Sequence, residues 1–157
     1  MIKLDERDLK ILAVLQQDGR IPKNQLAEKV HLSPTACWER LKRLEETGVI
    51  EGYGARLSHA NLGTPAVIFM QVELASHRAE DFARFEDAVS AIDEITECWA
   101  VGGGVDYFLK LVCTGVDAYQ RRVDEMLAAE IGLRRYYTYV VTKSVKNVGQ
   151  IPLSALR

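Results

Sequence analysis

The sequence predicts an α+β protein of two small domains, a helix-turn-helix followed by a ferredoxin-like βαββαβ fold. Three helical patterns fill the first 50 residues, and a tight turn joins the second to the third. From Ala66 onward, runs of two-residue apolar period alternate with two amphipathic helical patterns, in the order strand, helix, strand, strand, helix, strand. We therefore assign residues 1–50 to the first domain, 51–65 to a linker strand and 66–157 to the second domain.

Composition predicts a globular protein that stays out of membranes. Of the 157 residues, 48% are hydrophobic and 27% are charged, and the net charge is −2. No apolar run approaches the roughly 20 residues that a membrane helix needs. The charged start MIKLDERDLK is unlike a secretory signal, and the odd, widely spaced Cys37, Cys98 and Cys113 indicate reduced thiols. These features favour a cytoplasmic protein.

Boundary signals define the three N-terminal helices, which we expect over residues 6–17, 23–30 and 34–47. Asp5 suits the cap of the first helix. Ser33 and Pro34 suit the start of the third, and Gly48 its end. The positions expected to be buried in the first two helices are Leu9, Leu12, Leu15, Leu26, Ala27 and Val30. The segment 49–57, VIEGYGARL, follows as an expected strand.

The third helix is the candidate DNA-reading element. With Cys37, Leu41 and Leu44 buried, its opposite face and shoulders are polar. Between Arg20 and Arg43, six basic residues outnumber two acidic ones, a local balance of +4 in a slightly acidic chain. Such a helix suits the major groove of double-stranded DNA. The residues expected to contact DNA are Ser33, Thr35, Trp38, Glu39, Arg40, Lys42 and Arg43.

Two of these residues have alternative interpretations. Trp38 packs against the first helix or touches DNA, with neither favoured. Glu39 accepts a hydrogen bond from a cytosine amine or pairs with Arg43 one turn later, and we prefer the helical pair. A solvated amphipathic helix with no ligand is the alternative for the whole face.

The predicted sheet of the second domain is apolar on both faces. In the first strand Ile68, Met70, Val72 and Leu74 lie on one side, and Val67 and Phe69 on the other. Two helices are expected over 79–92, with Phe82, Phe85, Val89 and Ile92 inward, and over 117–130, with Tyr119, Val123, Met126 and Leu127 inward. Both helices cover the same sheet face. We therefore expect another subunit to cover the second face.

Several segments together resemble the Lrp/AsnC (feast/famine) transcription regulators of bacteria and archaea. They are LDERDLKILAVLQQDGR, LSPTACWERLKRLEETGVIEGY, VGGGVDYFLK and TYVVTKSVK, in the family's order over essentially the whole chain. The resemblance implies a winged helix-turn-helix joined by a strand linker to a ferredoxin-like effector and oligomerisation domain. It also implies dimers, often tetramers of dimers, which bind operator DNA and a small-molecule effector, usually an amino acid, between effector domains.

The glycine turn AVGGGVDYF is the candidate effector site. Three glycines allow a ligand close to the backbone, although the residues alone favour a plain turn between strands, and only the family resemblance shifts the balance toward a ligand site. In the resembled family this turn reads Gly-Asp-x-Asp-Tyr, and here Gly104 replaces the first Asp. An Asp106 carboxylate suits a ligand ammonium, and free N–H groups suit its carboxylate. The resemblance assigns to the pocket Gly103, Gly104, Val105, Asp106, Tyr107, Val116, Thr138, Tyr139 and Val140.

The sequence offers no catalytic residues and no metal site or cofactor. His31, His59 and His77 lie in separate segments, and the cysteines show no metal-ligand spacing. We expect no enzyme activity. The alternative to a DNA-binding regulator is an amino-acid-sensing or protein-partner-binding module without DNA-binding activity, which a shallow salt dependence of binding would distinguish.

Overall fold

The computed structural model describes residues 3–58, 61–63, 65–146 and 149–153. The chain forms two compact units, one holding the residues up to Leu57 together with the C-terminal segment 149–153, the other spanning Ser58–Lys146. Among the described residues, no helix has the length and apolar character needed to cross a bilayer.

Three helices build the first unit: α1 Glu6–Gln17, α2 Lys23–Lys29 and α3 Pro34–Glu46. This confirms the predicted elements. Asp5 caps α1 because its Oδ1 accepts hydrogen bonds from the N–H groups of Arg7 and Asp8, at 2.8 and 2.9 Å. The Asp5 N–H donates in return to Asp8 Oδ2 at 3.0 Å, completing a capping box.

The buried residues of α1 differ from the prediction. Ile11, Leu12 and the carboxylate of Asp8 are buried, whereas Leu9 and Leu15 are only half-buried. A spacing of three residues falls short of the 3.6-residue turn, so the positions 9, 12 and 15 drift around the helix. The predicted positions of α2 and α3 are buried. The core of the first unit consists of Ile11, Leu12, Ile21, Leu26, Ala27, Val30, Cys37, Leu41 and Leu44.

Residues 49–57 do not form the expected strand, so this prediction was wrong. Val49 and Ile50 contact the helical core, and Tyr53 donates a hydrogen bond from its hydroxyl to Glu45 at 2.8 Å. A strand requires a second backbone to complete its hydrogen bonds, and the described residues supply none to this segment.

The C-terminal segment belongs with the helices of the first unit, unlike the predicted division at residue 66. The Gln16 side chain exchanges two hydrogen bonds with the Ile151 backbone, at 2.7 and 3.1 Å. Gln150 donates to the Gln16 carbonyl at 2.9 Å, and Leu153 packs against the helical core. Since these partners lie about 135 residues apart, local sequence patterns carry no sign of them.

The second unit has the predicted βαββαβ order. Its elements are β1 Ala66–Leu74, α4 Ala79–Ser90, β2 Ile95–Ala100, β3 Tyr107–Cys113, α5 Val116–Ala128 and β4 Leu133–Val140. The four strands form one antiparallel sheet in the order β2-β3-β1-β4.

Both helices of this unit pack on one face of the sheet. Ile68, Met70 and Val72 of β1 are fully buried there, together with Phe85 of α4 and Val123 of α5. Leu127, predicted to be inward, is instead 43% exposed. It lies beyond the edge of the contact that Val123 and Met126 make with the core, one residue around the helix.

The opposite side of the sheet, here called the outer face, carries exposed aromatic side chains. Two rows of paired residues cross the strands there: Trp99, Phe108, Gln71 and Tyr137, and beside them Glu97, Lys110, Phe69 and Tyr139. Trp99 is 45% exposed, Tyr137 45% and Tyr139 50%. The prediction of a sheet apolar on both faces is confirmed.

Candidate nucleic-acid interface and effector site

Helix α3 is sharply bounded, as its sequence predicts. The Ser33 hydroxyl accepts a hydrogen bond from the Ala36 N–H at 3.3 Å, and Pro34 occupies the first turn, where a missing N–H costs nothing. Gly48 follows the helix with φ +71°, a conformation that favours glycine. Cys37, Leu41 and Leu44 are buried as predicted, and burial raises the pKa of the Cys37 thiol.

The exposed face of α3 carries Thr35, Trp38, Glu39 and Lys42. Lys42 is 3.5 Å from Glu46, a solvent-exposed pair of small energetic weight. The Lys23 ammonium of α2 lies 3.2 Å from the centre of the Trp38 ring. Trp38 therefore contacts α2, and its ring remains 41% exposed.

Arg40 and Arg43 bind carboxylates at the start of α1. Arg40 Nη1 lies 2.6 Å from Asp5 and 2.9 Å from Asp8, and Arg43 Nη2 lies 2.6 Å from Asp8. No ion pair joins Glu39 to Arg43, both of which the structure describes, so the preferred helical pair was wrong. Asp8 competes successfully for Arg43 because its side chain is 1% exposed and faces α3.

These contacts shift the pKa values of Asp5 and Arg40 further from neutrality. The Asp8 N–H and then the Arg40 guanidinium lower the pKa of Asp5 to about 2. The carboxylates of Asp5 and Asp8 raise the pKa of Arg40. Sequence reasoning missed Asp8. The available signal was a carboxylate one turn before the buried Ile11 and Leu12, together with arginines expected on a facing helix.

The glycine turn between β2 and β3 faces open space. Among the residues that the structure describes, no atom lies within 4 Å of where a side chain would begin on Gly102, Gly103 or Gly104. The turn is held at its base, where Val101 N–H donates to the Asp106 carbonyl at 2.9 Å and Asp106 N–H donates to Val72 at 2.8 Å.

The Asp106 carboxylate already has partners within the chain. It accepts a hydrogen bond from Leu74 N–H at 2.7 Å and lies 3.0 Å from His77 Nε2. His77 stacks on Phe82 and is exposed. Sequence analysis missed His77 as a neighbour of the turn, since 29 residues separate it from Asp106.

Tyr107 faces the helices and not the surface of the turn. It is 2% exposed, contacts Phe85, and donates a hydrogen bond from its hydroxyl to Glu86 at 2.6 Å. Burial, and then the Glu86 carboxylate, raise the pKa of this phenol well above its ordinary value. Tyr107 therefore supports the turn from below.

The predicted effector residues lie in two groups. Tyr107 pairs across the sheet with Val72, and Val140 pairs with Ile68, with β1 between their strands. Two strand spacings and four residues of strand separate them by about 16 Å. Thr138 and Tyr139 also point to opposite faces: Thr138 bonds Tyr119 under the sheet, and Tyr139 lies on the outer face. Val116 is 52% exposed at the start of α5.

A metal centre has no support in the described parts of the chain, where no group of three or more His, Cys, Asp or Glu side chains is arranged to hold an ion. The three cysteines are free thiols, buried at Cys37 and Cys113 and exposed at Cys98.

Both units match known protein families. Residues 4–51 match a family model described as winged helix-turn-helix DNA-binding. Residues 67–151, more than half of the chain, match the Lrp/AsnC ligand binding domain. The chain belongs to the Lrp/AsnC family.

Regulators of known sequence or structure match this chain over more than nine-tenths of its length. The transcriptional regulatory protein DoeX of Halomonas elongata is 55% identical over 145 residues, covering 92% of both chains. An AsnC family transcriptional regulator from Agrobacterium tumefaciens superposes with a TM-score of 0.92 at 34% identity, over 98% of this chain and 100% of its own. A transcriptional regulator from Neisseria meningitidis in complex with L-Met gives 0.91 at 32% identity, over 99% and 100%.

Membership of the Lrp/AsnC family decides the class of function. The protein is a transcriptional regulator with a DNA-binding domain and a domain that binds a small molecule, and its family is not one of enzymes. The resemblance in the sequence is thereby confirmed, as is the winged helix-turn-helix plus ferredoxin-like fold.

Proposed function

We propose that this regulator reads a specific operator by inserting α3 into the major groove of double-stranded DNA. The observation that carries the proposal is the division of α3 into a buried face of Cys37, Leu41 and Leu44 and a polar face free of intramolecular packing at Thr35 and Glu39. A helix with one such exposed polar face can reach base edges. Since it acts on the chromosome, we place the protein in the cytoplasm.

The residues of the polar face have distinct proposed roles. Thr35 and Glu39 point away from the core and reach base edges, and Trp38 lies beside them against the DNA backbone. Lys42 neutralises a phosphate, and N–H groups at the helix start, of which the Ser33 hydroxyl caps that of Ala36, bind a second one. Arg40 and Arg43 support this surface from their ion pairs with α1.

Selection of bound duplexes from a random library tests this proposal. Two DNA-reading helices in a dimer predict an inverted repeat with half-sites about 10–10.5 base pairs apart. Replacing Thr35 by Ala should relax the base preference within each half-site without abolishing binding. Recovery of unenriched sequences, with a shallow salt dependence, would leave only the role of a sensor that binds a protein partner.

We further propose that two subunits pair through their outer faces. Support comes from the exposed aromatic side chains Phe69, Trp99, Tyr137 and Tyr139 on this face, since large exposed apolar side chains gathered on one surface commonly mark an interaction site. Lys110 and Glu97 lie in the same rows and pair with each other at 2.5 Å. Further association into a tetramer of dimers is the proposed higher assembly.

The effector, we propose, is an amino acid or a related amine metabolite bound beside the glycine turn. The open surface at Gly103 and Gly104 supports close approach of a ligand to the backbone. Val140, at the far end of β4 and about 16 Å from Tyr107, lies too distant to share a pocket within one chain, so a second subunit would complete it. The L-Met complex of the Neisseria relative supports the ligand class.

Two substitutions at Asp106 distinguish ligand binding from support of the turn. Asp106→Asn retains an acceptor for the Leu74 N–H but removes the charge, whereas Asp106→Ala removes both. A thermal-shift screen against the twenty amino acids and common amines should show one stabilising ligand. If the carboxylate binds the ligand ammonium, both variants lose the shift. If Asp106 only supports the turn, Asp106→Asn keeps the shift, and the ammonium contact is refuted.

A further inference from the structure

We propose that Asp8 is a specificity-determining residue, which holds Arg40 and Arg43 on α1 and so withholds their charge from the DNA backbone. The inference rests on the proposed DNA-binding role of α3. The inference changes which side chains are expected to supply affinity for DNA, because Arg40 and Arg43 are the strongest phosphate-binding side chains on α3.

The first observation behind this inference is the position of the two arginines on α3. At about 100° per residue, and counted in one direction around the helix from Cys37, Arg43 lies at about 240° and Arg40 at about 300°, both on the side that turns toward α1. Thr35, Glu39 and Lys42 lie about 140–200° from Cys37, on the side that faces away from the core. The arginine side therefore adjoins the polar face, and the ion pairs with Asp8 draw both guanidinium groups toward α1.

The second observation behind this inference is the burial of Asp8. Its side chain is 1% exposed, and its two oxygens bind Arg40 at 2.9 Å and Arg43 at 2.6 Å. A buried carboxylate left without a cation is strongly unfavourable, so these contacts persist when DNA is near. Asp5 adds a second carboxylate to Arg40 at 2.6 Å. Two acids and two arginines then form a cluster with no net charge.

Withholding two charges favours specific over non-specific binding. Contacts to phosphate supply affinity for any sequence, whereas base contacts distinguish one site from another. With Arg40 and Arg43 held on α1, the basic side chains left between residues 20 and 43 are Arg20, Lys23, Lys29 and Lys42. Discrimination then depends on Thr35 and Glu39, which carry no positive charge.

The test compares charge-removing substitutions on the first turn of α1. Asp8→Asn keeps the shape of the side chain and an oxygen for the Asp5 N–H, but no longer binds two guanidinium groups tightly. Glu6→Gln is the matched control, since Glu6 is exposed on the same turn. The probe is a labelled duplex of random sequence, and fluorescence anisotropy gives its affinity for the full-length protein over a series of salt concentrations.

In Asp8→Asn, the release of Arg40 and Arg43 should make the affinity for DNA depend more steeply on salt concentration. Two new phosphate contacts raise the slope of log affinity against log salt by up to about 1.8. Between about 50 and 200 mM salt, Asp8→Asn should then lose about 12-fold more affinity than the wild type. Glu6→Gln should leave the slope unchanged. A slope for Asp8→Asn that is no steeper than that of Glu6→Gln overturns the inference.

A second pair of variants keeps the test decisive if Asp8→Asn does not fold. Arg43→Ala should leave the slope of the wild type unchanged, whereas Lys42→Ala should reduce it by about 0.9. An equal reduction by both variants overturns the inference but leaves the DNA-binding function intact. A wild type that shows no salt-dependent DNA binding refutes the proposed function, and the inference with it.

Discussion

Replacement of Trp99 by Ala should dissociate the proposed dimer. Trp99 is 45% exposed on the outer face, beside Phe108. A tryptophan side chain has an area of about 250 Å², so about 110 Å² remains to be buried by a partner subunit. At about 25 cal/mol per Å² this burial contributes about 2.8 kcal/mol per subunit.

The two-fold symmetry of the dimer doubles the loss of association free energy. A two-fold dimer contains the substitution on both sides, so complete burial gives about 5.5 kcal/mol and a dissociation constant raised about 10⁴-fold. Burial of only half the exposed area still gives a rise of about 100-fold. Sedimentation velocity over a wide range of protein concentration measures the constant directly.

Trp38→Ala is the matched control for this experiment. The chain has two tryptophans, and Trp38 is similarly exposed, at 41%, but lies on α3 in the other unit. It should leave the dissociation constant unchanged. Equal dissociation constants for Trp99→Ala and the wild type, or a wild type that sediments as a monomer throughout, would refute the assignment of the outer face as the subunit interface.

Two further substitutions test the boundaries of the DNA-binding helices. Asp5→Ala should destabilise the protein by about 1 kcal/mol at neutral pH, after allowing for the half-exposed side chain. Because the pKa of Asp5 is lowered from 3.8 to about 2, its stabilisation is present above pH 3.8 and disappears toward pH 2. Urea unfolding of both proteins across this range should show the difference shrinking, and a constant difference would contradict it. Gly48→Ala, at φ +71°, should cost about 1 kcal/mol, whereas Gly52→Ala should cost almost nothing; equal costs would show that the left-handed conformation does not matter.

Local patterns in the sequence were sufficient to predict most of the helices and strands. The alternation of Ile68, Met70 and Val72 identified both β1 and its buried side, because side chains alternate strictly along a strand. Ser33, Pro34 and Gly48 bounded α3 to within one residue, since capping chemistry depends on the few residues at a helix end.

Three of the failures involve partners distant in the chain. Residues 49–57 have the composition of a strand, but the described part of the chain offers no backbone to pair with them. The segment from Gly149 to Leu153 joins the first unit through Gln16, which no periodicity indicates. Helical spacing suggested Glu39 for Arg43, yet Asp8 on another helix binds it. In each case the deciding contact depends on the assembled fold.

The two candidate sites were predicted from different kinds of signal. The buried and exposed faces of α3 follow from its 3.6-residue period alone, so its polar face was correctly outlined. The effector residues came as a set from family resemblance. Their split between the turn at Asp106 and the far end of β4 depends on strand order and register, which the sequence does not specify.

Methylation interference on a selected operator tests most directly whether α3 reads the major groove. Guanine N7 lies in the major groove and adenine N3 in the minor groove, so methylation at each position blocks a different mode of binding. We expect guanine N7 methylation to prevent binding at two patches about one helical turn apart, one for each subunit. Thr35→Ala should bind the same duplex with the interference weakened at one position in each patch. Interference confined to adenine N3, or absent at every base, would contradict the account.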